Sequence, residues 1–179
     1  MNKLRKQIEE AFGRVVYTYT AYFKMRDKNL FINKFIKIIQ IVLTSLSASG
    51  FLALIITNKI ALGWIAAITS FVSLFINIYV KDFKLLEDAE VYKKAADELW
   101  LVREKYISLL VDIEYLSEKE IMNRRDLLQI EVDSLNKRYP GTSPYGYRKA
   151  QKALKSQEEQ HFSEKELDLL LPKELRKSK

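Results

Sequence analysis

Between Lys37 and Lys81 a single position, Lys59, is charged, whereas on both sides of that stretch apolar residues are spaced among dense charge. Lys59 divides the bare stretch into residues 38–58 and 60–80, two segments of 21 uncharged residues each. At about 1.5 Å of rise per helical residue, each segment reaches roughly 31 Å, the hydrocarbon thickness of a bilayer. The pattern predicts two membrane crossings joined by a tight turn at Thr57, Asn58 and Lys59, too short for anything but antiparallel helices. Two buried helices of a soluble bundle are the alternative, but such helices rarely run this far without a charge on an outward face.

Before the crossings, Leu4, Ile8, Ala11, Val15, Tyr19 and Tyr22 recur at spacings of three and four, which predicts an amphipathic helix. Its apolar side suits either the headgroup region, with Tyr17, Tyr19, Tyr22 and Phe23 as interfacial aromatics, or packing on the helices that follow the membrane; packing is preferred. Asp27, Lys28 and Asn29 read as a break, with Asn29 capping the helix that enters the membrane.

Beyond the crossings no Gly or Pro occurs from Gly63 until Pro140, so the second crossing is expected to continue as one long helix without interruption. Leu85, Ala89, Tyr92, Ala96, Leu99, Arg103, Tyr106 and Leu110, then Ile113, alternate at four and three residues. That is the stripe of a helix burying a narrow seam against another helix, and it offers a place for copies of the chain to assemble. Ser117 and Glu120 form a capping-box pattern at a reversal, and Ile121, Arg125, Leu128, Val132, Leu135 and Tyr139 repeat the seam until Pro140 and Gly141 stop it. Pro144 opens a third helix, and Ser163 with Glu166 caps a short fourth that ends at Pro172. The expected fold is an all-α membrane protein in three parts. A basic amphipathic arm spans 1–37, a transmembrane helical hairpin 38–80, and a cytoplasmic helical domain 81–179, its long helix continuing from the second crossing.

Charge sets the topology. The net charge of +7 divides into +6 over residues 1–37, +1 at Lys59 and zero over residues 81–179. Cations on both flanks place both termini in the cytoplasm. A basic arm beside a membrane suits anionic lipid better than nucleic acid, which calls for a basic face on a folded domain. The opening MNKLRKQIEE shows no cleavable apolar core, so the first crossing itself is expected to direct insertion. The chain has no cysteine, which removes disulfides and thiolate metal sites.

Catalytic chemistry is sparse. The sole histidine is His161, and one histidine without cysteine makes no metal site; no nucleophile arrangement, phosphate loop or carboxylate pair on apolar ground stands out, so no catalytic role and no cofactor is expected. The crossings do carry polar stripes. Gln40, Thr44 and Ser47 fall on one side of the first, beside a small-residue row of Ser45, Ser49 and Ala53; Ala66, Ser70, Ser73 and Asn77 fall on one side of the second. These residues either pack the helices together or line a pore, which two helices can enclose only in an oligomer. A second patch, Lys137, Arg138, Arg148, Lys149, Lys152 and Lys155, contains no acid and includes Tyr139, Tyr145 and Tyr147. Within it Arg138, Tyr139, Tyr145, Tyr147, Arg148, Lys149 and Lys152 are candidate contacts for a nucleotide or other phosphorylated ligand; a solvated helix face or contact with lipid phosphates is the blander reading.

The helix segment ELWLVREKYISLLVDIEYL, the turn KRYPGTSPYGYRKAQKAL and the ending HFSEKELDLLLPKELR, following a two-helix hairpin, resemble the SLATT family of SMODS- and SLOG-associating two-transmembrane effectors. Trp100, Arg103 and Tyr106, then Tyr139, Pro140, Thr142 and Ala150 in that order, carry the sharpest part of the likeness. The resemblance implies an effector of bacterial conflict systems, silent in the inner membrane until a separately encoded sensor or second-messenger synthase detects phage. It then assembles or opens to breach the membrane and kill or arrest the cell. A membrane-anchored adaptor that recruits a partner without forming a pore is the second reading.

Overall fold

The computed structural model describes residues 2–159, 162–172 and 176, and within them every regular element is helical. The order is α1 Asn2–Thr57, α2 Ile60–Asp82, α3 Leu85–Asp112, α4 Glu118–Arg138, α5 Pro144–Ser156 and α6 Glu164–Leu170. His161 lies outside the described residues.

The hairpin forms as its hydropathy demands. None of the most apolar stretch of α1 and almost none of that of α2 is buried, so their Ile, Leu, Phe and Val side chains point outward as lipid-facing residues do. Asn58 and Lys59 make the turn. Asn58 adopts a left-handed φ of 52°, which asparagine tolerates better than most residues, and its amide donates to the Leu54 carbonyl at 2.8 Å.

Outside the hairpin, α1 and α3 pack along their lengths, with α4 against α3 and α5 against α1. The amphipathic side of α1 is consumed there: Ile8, Ala11, Val15, Tyr19 and Tyr22 join Leu99, Val102, Tyr106, Ile121 and Leu128 in one core. Of the two placements that suit this side, packing is the one observed. The cap signals hold as well. The Ser117 hydroxyl accepts from the Glu120 amide, and the Glu120 carboxylate accepts from the Ser117 amide at 3.0 Å. The Ser117 hydroxyl, which also donates to that carboxylate at 2.6 Å, and the Ser117 amide hold the Glu120 carboxyl below its ordinary pKa. Ser163 and Glu166 repeat the box at α6, and Pro144 occupies the first turn of α5.

Three expectations are corrected. α1 has no break at Asp27, Lys28 and Asn29; it is a 56-residue helix about 84 Å long. None of the three is Gly or Pro, Arg26 pairs with Asp27 at 2.6 Å, and α5 braces this stretch through Tyr145, whose ring lies under the Lys28 ammonium. The second crossing, by contrast, leads into α3 through an interruption at Phe83 and Lys84. The Phe83 amide closes α2 on the Tyr79 carbonyl at 3.1 Å, its ring stacks on Tyr79, and α3 restarts where the Asp88 amide bonds the Lys84 carbonyl at 2.9 Å.

The third correction concerns the heptad stripe of α3. Ala89, Ala96, Leu99, Tyr106 and Ile113 are buried, with Tyr92 and Leu110 packed partly against the core and Leu85 half-buried. The stripe is the monomer's own core, and it could meet another copy only by leaving α1. Arg103, the charged intruder, lays its guanidinium over the Trp100 ring at 4.6 Å, and Trp100 in turn meets Tyr19 of α1 at 5.3 Å between ring centroids. Among the described residues the buried Arg103 Nε has no hydrogen-bond partner.

Candidate functional site

Two regions bring polar groups together, one within the hairpin and one beside it. The crossings approach closely because glycine permits it. A Cβ at Gly50 would lie 3.3 Å from the Ala66 Cβ and 3.2 Å from the Leu62 carbonyl, and one at Gly63 would lie 3.0 Å from Leu54 Cδ2. Along this line the polar stripes of the two crossings face each other. Gln40 Nε2 donates to Asn77 Oδ1 at 2.6 Å, the Ser47 hydroxyl donates to the Ala66 carbonyl at 3.1 Å, and the Ser47 and Ser70 hydroxyls bond to each other. The Thr44 hydroxyl stays within its helix, on the Gln40 carbonyl at 2.7 Å.

Between these helices runs a groove of about 780 Å³ whose polar lining is Thr44, Ser47, Ser70, Ser73 and Asn77. Five of the six residues expected on a polar seam therefore line one groove, and Gln40 joins it through Asn77. The groove is open, and Thr44, Ser70 and Asn77 are exposed at the level of the crossings. The small-residue row of the first crossing is less engaged. Ser45 and Ser49 face outward, and Ser45 bonds its own helix at Ile41. The contact passes instead through Gly50, Gly63 and Ala66, a signal present in the sequence as the single glycine of each crossing.

The basic patch near α5 is divided. Arg138 pairs with Glu98 of α3 at 2.9 Å, and Tyr139 donates its hydroxyl to the same carboxylate, which together with burial and the charge of Glu98 raises the phenol's pKa. Both are committed to holding α4 on α3. Tyr147 stacks on Tyr17 of α1 at 5.7 Å, and Arg148 is exposed. Tyr145, Lys149 and Lys152 instead share a cleft of about 360 Å³ with Lys24, Asp27, Lys28 and Phe31 of α1. The Lys28 and Lys149 ammoniums lie 4.7 and 5.7 Å from the Tyr145 ring centroid. Lys24 and Lys28 are about 120 positions from Tyr145, so no local pattern links them.

The helices around this cleft are fixed by a close contact. A Cβ at Gly146 would lie 2.8 Å from Met25 Cγ and 3.1 Å from the Ala21 carbonyl, so α5 rests directly on α1. The Tyr22 hydroxyl donates to the Pro140 carbonyl at 2.6 Å and ties the turn before α5 to the same helix.

The model of the SMODS and SLOG-associating 2TM effector domain family 4 matches residues 4–166, from the first turns of α1 into α6. No curated protein and no solved structure matches the chain.

Proposed function

Because the chain belongs to family 4 of the SMODS and SLOG-associating 2TM effectors, we propose that it is a membrane effector of a bacterial anti-phage defence system. In this reading it lies in the inner membrane with both termini cytoplasmic. A separately encoded sensor, or a nucleotide signal made by a synthase, triggers copies of it to assemble into a pore. The supporting observation is the open groove of Thr44, Ser47, Ser70, Ser73 and Asn77. An exposed amide and hydroxyls at hydrocarbon depth are costly against lipid, and a ring of hairpins turning these grooves inward gives them water. With the α3 stripe buried in the monomer, the hairpins themselves supply the assembly surface in this proposal. In liposomes carrying the purified protein, the Asn77→Leu, Ser73→Leu double variant is expected to lose ion flux while keeping its oligomer. Unchanged flux refutes the lining.

The adaptor reading draws on a different observation. The bonds of Gln40 to Asn77 and of Ser47 to Ser70 and Ala66 already satisfy much of the stripe inside one hairpin, as an inert anchor requires. A potential-sensitive dye in cells, with and without a phage trigger, separates the two. Depolarisation supports the pore, and an unchanged potential alongside recruitment of a partner supports the adaptor.

A further inference from the structure

We propose that the cleft between α1 and α5 is a docking site for the phosphate headgroup of an anionic lipid in the leaflet that α1 enters. Asp27, the one carboxylate that lines the cleft, is engaged by Arg26 at 2.6 Å, and the lining Lys24 is taken by Glu159 at 2.7 Å. Among the described residues, Lys28, Lys149 and Lys152 have no carboxylate partner. Two of them are nonetheless drawn to one ring, that of Tyr145, around an opening of about 360 Å³. Like charges gathered in this way are relieved by an anion, and lysine meets phosphate as a point charge.

Location decides between a soluble phosphate and a lipid. Phe31 lines the same cleft, is 70% exposed, and stacks on Phe35, itself exposed, at 6.4 Å between centroids. Phe31 precedes the uncharged span by seven residues, roughly 10 Å along the helix, so the cleft opens at the level of the headgroups. A ligand with phosphate at the lysines and an acyl chain running past Phe31 and Phe35 satisfies both halves of the site; a soluble phosphate satisfies one. Basic pockets beside membrane helices bind lipid headgroups by this logic. The direct contact at Gly146 holds Tyr145 in place before any lipid arrives.

Native mass spectrometry of the full chain in mild detergent tests the assignment, with phosphatidylglycerol, phosphatidylcholine and glycerol phosphate offered separately and in competition. The unaltered chain is expected to retain phosphatidylglycerol over phosphatidylcholine by about tenfold, the scale for three lysines at a lipid surface partly screened by salt. The Lys28→Ala, Lys149→Ala, Lys152→Ala variant is expected to lose that preference, and a Lys93→Ala, Lys119→Ala, Lys137→Ala variant of equal charge to keep it. Equal retention of the two lipids by the unaltered chain, or an unchanged preference in the first variant, overturns the site. Glycerol phosphate binding as well as the lipid does, and displacing it, overturns the lipid assignment. Should the first variant fail to fold, Tyr145→Leu is expected to reduce the preference severalfold, and no reduction is equally fatal. The outcome is independent of whether the hairpins form a pore.

Discussion

Leu99 in the helical body is 2% exposed, while Ile56 near the tip of the hairpin is 81% exposed, although both are aliphatic residues on long helices of the same chain. In the body an apolar core is turned inward, although Leu101, Leu127 and Ile130 stay exposed. In the hairpin the aliphatics turn outward, and Gln40, Ser47, Ser70 and Asn77 bond across the two helices along their open groove. The difference teaches that each region is folded against its own solvent. α1 belongs to both, and its apolar surface is a stripe before residue 26 and all-round after residue 38.

The sharpest way to break this contrast is to truncate one residue of each kind. Leu99→Ala should cost about 2–5 kcal/mol through lost burial and a cavity, while Ile56→Ala should stay within about 0.5 kcal/mol, as measured by denaturation in mixed micelles. Equal costs would mean that the hairpin tip is packed on protein. A smaller effect is expected from a double-mutant cycle at Gln40 and Asn77, where replacing both by leucine should reveal a coupling of about 0.6 kcal/mol. A coupling near zero would remove the bond from the resting hairpin.

The smallest contrast is in pH dependence. The Ser117 hydroxyl and amide hold the Glu120 carboxyl below its ordinary value. Glu120 therefore contributes stability that is present above its unfolded pKa and is lost as pH falls through the lowered folded value. Ser117→Ala should flatten that acid-side loss, whereas the crossings, which carry no ionisable side chain between Lys59 and Tyr79, should contribute none. Unfolding curves at neutral and acid pH for both proteins check the sign.

The hairpin was legible because one lysine splits an otherwise uncharged stretch into two bilayer-length halves, and the body because caps and periodicity are local. Ser117, Pro144 and Ser163 each mark a helix start in the sequence and in the structure. What was not legible depends on distant partners. The triplet Asp27–Asn29 has the composition of a break, but α5, more than a hundred residues later, lies across it. The interruption at Phe83 carries neither Gly nor Pro. The period of the α3 stripe says that a helix covers it, not whether that helix belongs to the same chain; α1 does the covering. The cleft around Tyr145 takes half its lysines from α1, and Arg138 and Tyr139, members of the basic patch in the sequence, are claimed by Glu98.

The two legs of the hairpin also differ mechanically. α1 is a single rod from the body to the far side of the bilayer, while the returning leg is articulated at Phe83 and Lys84. A continuous helix ties the orientation of the first crossing to that of the body, whereas the interruption leaves the second crossing less directly coupled to it. The line of Gly50 and Gly63, where the two crossings touch, is where that unequal coupling meets.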